Sequence, residues 1–285
     1  MMYQDKILNS IDLTLSNLHD FTKTNIIAGE EGSGRKTLIE HIADSLSIDT
    51  VDITETISLE TINDIYLSTE KFAYIIDANK ITEKEQNTIL KFIEEPPVSA
   101  YIFIVCENET DVLPTIYNRC NVIHLRPYTT EELKDICKFY GVDAEDELLR
   151  IFRTPGKLLR ISKLQNLDSY KMASQKVVQS IKRASYVNTL KLTSWFVPGK
   201  NNKEPTFDIN IFIQFMKYYI NEYVRKGSNE YYNFISVLLK YEKDLNNKYY
   251  NKKFLLDRLF YDLRGSFTND ATTAKTDNTS ETRTS

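Results

Sequence analysis

Short runs of apolar and β-branched residues alternate with helical patterns over the first 125 residues of the chain. The apolar runs are TNIIAG, DTVDIT, FAYIID, AYIFIVC and NVIHL, and the first is followed by TLIEHIADSL. In that segment one helical face is apolar, because its large apolar residues recur at helical spacing; they are Leu38, Ile39, Ile42 and Leu46. Strands that alternate with helices predict an α/β fold with a mainly parallel sheet covered by helices on both faces.

After NVIHL the strand pattern stops and only helical patterns follow. Thr129 and Glu132 stand in capping-box spacing at the start of one helix, and Gly141 marks its end. Two more short helices are predicted around EDELLRIF and PGKLLRISKLQ, and the rest of the chain is helical and aromatic up to about residue 265. The predicted domains are an α/β core over residues 1–126, a small helical unit over 127–167 and an all-α domain over 168–266.

The last residues, 267–285, have no apolar periodicity and are rich in Thr, Asn and Asp. Such a segment cannot offset its ordering entropy, so we expect a disordered tail. The formal net charge of −4 argues against a free-standing nucleic-acid binder, although contact with DNA within an assembly fits it. No apolar run approaches the roughly 18 residues of a membrane span and the first residues lack a signal-peptide layout, so we expect a cytoplasmic protein without a membrane partner.

Cysteine and histidine are few and scattered. Cys106, Cys120 and Cys137 form no C-x-x-C pair, and the three histidines, at positions 19, 41 and 124, are equally far apart. Neither a disulfide framework nor a metal site is indicated, and structural roles are expected for all six residues.

The segment GEEGSGRKT, residues 29–37, nearly matches the phosphate-binding pattern G-x-x-x-x-G-K-[ST]. In that pattern glycines let main-chain N–H groups converge on phosphates, the lysine neutralises them and the hydroxyl binds magnesium. Gly29 and Gly34 fit, and Gly32 lies inside the loop. Arg35, however, stands at the lysine position and Lys36 at the hydroxyl position.

A register shifted by one residue would use Lys36 and Thr37, but it would lose both glycines of the pattern. Arginine is a poor replacement for lysine because its planar fork directs its donors differently. The helix N-terminus can still attract an anion, which leaves weak binding of ATP, ADP or phosphate open. The loop therefore predicts phosphate-loop ancestry without a working ATPase.

A magnesium-binding Asp followed by a water-polarising Glu is expected at the end of a neighbouring strand. FAYIIDANK provides Asp77 at a strand end, but Ala78 follows it. Two assignments remain open: Asp77 corresponds either to the magnesium-binding Asp or to the water-polarising Glu. Both leave this chemistry one carboxylate short.

The segment ITEKEQNTILKFIEEPP, residues 81–97, resembles the QNALLKTLEEPP signature of bacterial DNA polymerase III clamp-loader subunits, which have AAA+ cores. LPTIYNRC, residues 113–120, resembles that family's LPxTIxSRC segment, and FLLDRLFYDLR resembles its closing helix. Over residues 1–265 the resemblance implies an AAA+ P-loop core, a helical lid and an oligomer-forming helical collar. The short distance from the loop to the strand-end acid, without cysteines, resembles the zinc-free members.

The resemblance also implies which residues would act. The family's nucleotide-sensing polar residue falls near Cys106 or Glu107, and its lid arginine falls on Gly156, beside Lys157. Together with the loop, these departures indicate a vestigial nucleotide site made of Gly29, Gly32, Gly34, Arg35, Lys36, Thr37 and Asp77, with no metal and no resident cofactor. Arg119 matches the arginine that reaches into the neighbouring subunit's ATP site; the alternative is that it caps a helix or pairs with a surface acid.

By this resemblance the chain is similar to the delta-prime type of subunit, which does not hydrolyse ATP. The implied partners are gamma/tau-like ATPase subunits, the delta subunit, the sliding clamp and primed DNA. Two alternatives stay open: an active ATPase that uses Arg35, Lys36 and Asp77, and a stand-alone DNA-binding or regulatory protein. The collar tyrosines, for example Tyr218 and Tyr231, are expected to pack in a core or a subunit interface.

Overall fold

We describe a computed structural model of the chain, for residues 21–197, 206–245 and 250–266 together with positions 4, 5, 8, 9, 11 and 12. The predicted tail, residues 267–285, lies outside the described residues. The chain divides into two compact units, one up to Lys163 and one from Leu164.

The first unit contains a five-stranded parallel sheet with the order β2-β3-β4-β1-β5. The strands are β1 (Thr24–Ala28), β2 (Asp49–Asp52), β3 (Phe72–Asp77), β4 (Ala100–Cys106) and β5 (Asn121–His124). The predicted strands and the predicted α/β P-loop class of fold are thus confirmed. Because β1 lies between β4 and β5, the loop that follows β1 lies at the carboxyl edge of the sheet, next to the ends of these two strands.

Helices cover both faces of the sheet. They are α1 (Arg35–Leu46), α2 (Leu59–Leu67), α3 (Glu83–Thr88), α4 (Leu90–Glu94) and α5 (Pro114–Tyr117). On α1 the predicted apolar face is buried through Leu38, Ile39 and Ile42. These residues pack with Ile27 and Phe103 on one face of the sheet, while residues of α4 and α5 pack on the other face.

The signature segment forms two short helices, α3 and α4, which are divided at Ile89. Thr82 caps α3 through a capping box with Glu85. Ile89 has φ −86° and ψ −2°, so the chain bends there while the Ile89 side chain is fully buried. The second helix ends at Glu94 because Pro96 disfavours helical geometry for the residue before it.

Three helices complete the first unit. They are α6 (Thr130–Phe139), α7 (Asp146–Ile151) and α8 (Pro155–Ile161). The predicted capping box is present: Thr129 accepts from the Glu132 main-chain N–H, and the Glu132 carboxylate accepts from that of Thr129. Gly141 adopts φ 71° beyond the end of α6, as its predicted position requires. We call residues 127–163 the lid.

The second unit is helical, as predicted. Its helices are α9 (Leu167–Ser180), α10 (Tyr186–Leu190), α11 (Ile209–Arg225), α12 (Tyr232–Leu245) and α13 (Lys252–Gly265). Its core is rich in fully buried aromatic rings, among them Phe196, Phe212 and Phe260. Among the described residues no helix has the length and apolarity needed to cross a membrane.

Candidate functional site

The near-match to a phosphate loop lies at the carboxyl end of β1 and leads directly into α1. Two of its glycines take left-handed main-chain geometry, with φ 80° at Gly32 and φ 98° at Gly34. Such angles are disfavoured for residues with a side chain, so glycine is required at both positions. Gly34 is also the N-cap of α1 and provides no side-chain cap. The loop therefore keeps the backbone geometry of an anion-binding loop.

The lid contacts this loop and donates hydrogen bonds to its main-chain carbonyls. Three hydrogen bonds form the contact, which we call the loop–lid contact: Gly156 N–H to Gly32 O at 2.9 Å, Thr154 Oγ1 to Glu31 O at 2.7 Å, and Tyr128 Oη to Ser33 O at 3.0 Å. Arg160 adds an exposed ion pair with Glu31 at 3.5 Å.

The loop–lid contact requires glycine on both sides. A Cβ atom at Gly156 would lie 2.8 Å from Gly32 Cα and 3.1 Å from Gly32 O. A Cβ at Gly32 would lie 2.9 Å from the main-chain N of Lys157. Since real Cβ atoms do not approach backbone atoms so closely, any larger residue at either position would separate lid and loop.

Two polar groups of the loop are buried without a hydrogen-bond partner among the described residues. They are Ser33 Oγ and Arg35 Nη1. The guanidinium of Arg35 acts electrostatically on Cys106 and Glu107 at the end of β4. Arg35 thus directs its charge toward the centre of the strand ends, where a phosphate loop would hold its lysine.

Lys36 and Thr37 take no part in this centre. Lys36 Nζ binds Asp52 Oδ2 at 2.6 Å, at the end of β2, and both side chains are about half exposed. Partial burial raises the pKa of Asp52, but hydrogen bonds from Lys36 and Thr54 lower it further, so the net shift is downward. Thr37 is exposed. In this structure neither register of the sequence pattern places a lysine and a hydroxyl together at the loop.

Asp77 ends β3 with little exposure. Its Oδ1 accepts from the main-chain N–H of Asn79 at 3.2 Å, and its Oδ2 lies 3.7 Å from Lys80 Nζ. Ala78 follows it and is buried. A single carboxylate therefore marks this strand end. No cluster of three metal-ligating side chains exists among the residues that the structure describes.

Cys106 ends β4 and Glu107 follows it, at the place where the family's nucleotide-sensing side chain falls. Burial, and then the nearby Asp111, raise the pKa of Cys106 to about 11, so its thiol stays protonated at neutral pH. Burial also raises the pKa of Glu107, although Lys157 and Arg35 partly offset the effect. The charges of Lys157 and Arg35 are thus directed at a protein carboxylate.

Arg119 lies between α5 and β5, on the exposed surface of the first unit. Its Nε binds Glu94 Oε1 at 2.6 Å, and its Nη1 donates to Thr115 O at 2.7 Å. The side chains of Arg119 and Glu94 are 42% and 43% exposed, so water reaches both partners of the ion pair. In this structure Arg119 therefore pairs with a surface acid, which the sequence analysis left open as the alternative.

The loop keeps two buried polar atoms without a partner among the described residues, and neither Lys36 nor Thr37 is directed to it. Sequence reasoning missed Tyr128, Thr154 and Ser33, because nothing in their sequence context distinguishes them from ordinary surface residues. It noted Gly156 only as the replacement of an arginine, while the structure places Gly156 in contact with the loop.

The chain matches known proteins mainly over its first half. A family model described as DNA polymerase III, delta subunit, matches residues 14–129. The subunit delta' of DNA polymerase III from Haemophilus influenzae is 36% identical over 55 residues, which is 19% of this chain and 17% of that protein. The subunit delta' from Escherichia coli is 23% identical over 124 residues, 42% of this chain and 37% of that protein.

Among solved structures, a DNA polymerase III gamma subunit-related protein from Thermotoga maritima is similar, with a TM-score of 0.46 and 15% identity over 90% of this chain and 99% of that one. The two curated relatives are each matched over well under half of their own length. The sequence matches thus show similarity to DNA polymerase III delta and delta' subunits over part of the chain, with residues 14–129 matched by the family model.

Proposed function

We propose that this chain is a delta-prime-like subunit of a DNA polymerase III clamp loader, which does not hydrolyse ATP itself and supplies Arg119 to the ATP site of a neighbouring subunit. The observation that supports the first part best is the loop–lid contact. Lid atoms use the carbonyls of the phosphate loop, and a Cβ at either contacting glycine would clash with the backbone opposite.

The side chains of the loop support the same proposal. Lys36 is engaged with Asp52 at the edge of the sheet, and Ala78 leaves Asp77 without a second carboxylate. Hydrolysis needs a magnesium ligand and a group that positions water, and neither is assembled here. The vestigial site formed by the three loop glycines, Arg35, Lys36, Thr37 and Asp77 therefore holds at most a weakly bound ATP, ADP or phosphate.

The surroundings of Arg119 support a role in trans. An exposed ion pair contributes little stability, typically 0–1 kcal/mol, so exchange of Glu94 for a phosphate group costs little. Arginine suits such an exchange because its fork binds carboxylate and phosphate with the same geometry. On a neighbour's ATP, Arg119 would stabilise the charge that develops on the transferred phosphoryl group.

In this role the partners are gamma/tau-like ATPase subunits and the delta subunit, joined through the helical second unit as a collar. The assembly acts on the sliding clamp and on primed DNA, and its location is the cytoplasm. The chain would serve as a fixed support against which the ATP-hydrolysing subunits move.

The test is ATP hydrolysis by the reconstituted loader in the presence of clamp and primed DNA. We expect the chain alone to show no turnover above its blank. We expect Arg119→Ala to assemble normally and to lower the loader's turnover at least tenfold, since an arginine finger contributes about 10³–10⁵ in rate where it acts.

The matched variant is Glu94→Gln, which removes the partner of Arg119 without removing the arginine. ATP turnover by the loader should be unchanged or slightly higher, because Arg119 then has no ion pair to break before it binds the phosphate. If Arg119→Ala left turnover unchanged, the role in trans would be wrong. If the chain alone hydrolysed MgATP and lost this activity on Lys36→Ala, it would be an active ATPase with an unconventional loop.

A further inference from the structure

Positive charge is concentrated in the second unit of the chain. Residues 164–266 contain 17 Lys and Arg against 9 Asp and Glu, whereas residues 1–163 contain 17 Lys and Arg against 28 Asp and Glu. The net charge of −4 for the whole chain conceals this separation. A strongly basic helical unit attached to an acidic one points to a polyanionic partner for the basic unit.

Part of this charge lies on α13 and on the segment that packs against it, Ile181–Trp195, which contains α10 and a 3-10 turn on each side of it (Ile181–Arg183 and Lys191–Trp195). The two segments run antiparallel and are joined by three contacts: Arg264 Nε to Ala184 O at 2.6 Å, the stacked rings of Tyr186 and Tyr261 at 5.0 Å, and Thr193 Oγ1 to Asp257 Oδ1 at 2.6 Å. We call the exposed side of this pair the α10–α13 surface; it is made of Arg183, Tyr186, Lys191, Lys253, Arg258 and Tyr261.

Three of the four cations on this surface are available to a ligand, while the fourth, Arg258, hydrogen-bonds Tyr241. Arg183, Lys191 and Lys253 are exposed, and none of them forms an ion pair with a described residue. The two acids of α13 accept hydrogen bonds from neutral hydroxyls: Asp257 accepts from Thr193, and Asp262 accepts from Tyr241. Both carboxylates keep their charge, but the four cations of this surface outnumber them.

Exposed aromatic rings lie among these cations. Tyr186, Tyr261 and Phe254 are 41%, 51% and 63% exposed. The guanidinium of Arg264 lies 3.6 Å from the centre of the Tyr186 ring, so a stack of cation and rings is already formed. Bases of a single strand stack on such rings, and cations beside them bind the phosphates.

We propose that the α10–α13 surface binds single-stranded DNA. The surface also carries exposed Val187 and Leu190, which a protein partner would cover. DNA is favoured because protein interfaces are depleted of lysine at their centres, while here exposed cations and exposed rings are carried by the same elements. The inference concerns the chain alone and does not depend on its role in a clamp loader.

The experiment measures fluorescence anisotropy of a labelled oligothymidylate of about 20 nucleotides with the purified full chain. We expect binding at low salt that weakens as salt rises. Each neutralised phosphate of a single strand contributes about 0.7 to the slope of log affinity against log salt, so three cations predict a slope of about −2.

The test variant reverses three cations of the surface, Arg183→Glu, Lys191→Glu and Lys253→Glu. We expect at least a tenfold loss of affinity and a slope near zero. The control makes the same change in charge on the first unit, Lys84→Glu, Lys91→Glu and Lys138→Glu, at exposed lysines. This control should lose less than threefold.

A second pair of variants tests stacking independently of charge and of folding. Tyr261→Leu should weaken binding about fivefold or more, while Tyr261→Phe, which keeps the ring, should bind like the native chain. The proposal is wrong if the native chain binds without salt dependence or if both triple variants lose affinity equally. It is also wrong if polyglutamate displaces the DNA at equal charge concentration, since the partner would then be an acidic protein.

Discussion

At the scale of single residues, the contact of Gly32 with Gly156 joins the lid to the loop. The two glycines allow backbones more than 120 positions apart to approach within hydrogen-bonding distance. Each hydrogen bond of this kind contributes about 1 kcal/mol. A pair of residues without side chains therefore holds the lid against the loop.

Replacing Gly156 by alanine should destabilise the first unit. The new Cβ would lie 2.8 Å from Gly32 Cα, and such overpacking typically costs about 1–3 kcal/mol. The matched control is Gly265→Ala in α13, where a Cβ meets nothing within 4 Å. Chemical denaturation measures both variants; equal stability of the two would show that lid and loop do not approach as described.

The three cysteines should resist alkylation in the folded protein. Burial raises the pKa of Cys106 to about 11 and that of Cys120 to about 12, and burial also raises the pKa of Cys137. Because only the thiolate reacts, labelling at pH 8 should be slow and should become fast in denaturant. Mass spectrometry after iodoacetamide treatment measures this; rapid labelling of Cys106 would contradict its burial at the end of β4.

At the scale of elements, local sequence determined most of the fold. Strands with continuous apolar runs, the apolar face of α1, and the capped helix α6 all lie where the patterns predicted them, because local geometry and burial agree there. The division between α3 and α4 was not foreseen. The break falls at Ile89, whose ψ of −2° departs from helical geometry, and no proline or glycine marks it in the sequence.

The capping box of α6 should give the protein a defined sensitivity to acid. A hydrogen bond from Arg126, then one from the Thr129 main chain, lower the pKa of Glu132 from 4.5 to about 2. The folded value lies below the unfolded one, so the charge stabilises the protein above about pH 4.5, and this contribution is lost as pH falls toward 2. Glu132→Gln should therefore lower Tm at pH 7.

The difference in Tm between Glu132→Gln and the native chain should shrink as pH falls below about 4.5. Circular dichroism melts from pH 7 to pH 3 measure it. Thr129→Ala provides the comparison, because loss of its neutral cap should cost about 1 kcal/mol largely irrespective of pH. A Glu132→Gln difference that stayed constant down to pH 3 would exclude the carboxylate charge as its cause.

At the scale of the whole molecule, the residues of the candidate site could be located from the sequence, but not their partners. The loop, Asp77 and Arg119 stand in recognisable motifs. Lys36 pairs with Asp52, and Arg119 pairs with Glu94. The spacing of these residues in the sequence does not indicate that they meet. Their pairing depends on how elements are placed in space, which local sequence does not encode.

Nucleotide should leave the stability of the whole chain nearly unchanged. A ligand present at 100 times its Kd adds about 2.7 kcal/mol to the free energy of unfolding, which would raise Tm by several degrees. With the loop–lid contact in place, we expect 1 mM MgATP to shift Tm by less than about 1 °C. Differential scanning calorimetry checks this, and a shift of several degrees that required magnesium would mean that the lid opens for nucleotide.

The hydrogen bonds between the lid and main-chain carbonyls of the loop also affect which substitutions this chain tolerates. Two of the three bonds in the loop–lid contact have a side-chain donor, but every acceptor is a main-chain carbonyl at positions 31 to 33, so the bonds do not depend on the side chains at positions 35 to 37. Positions 35 to 37 are therefore free to drift in sequence while the architecture persists. By the same logic, replacing Arg35 and Lys36 by lysine and threonine should restore the sequence motif without altering the loop–lid contact.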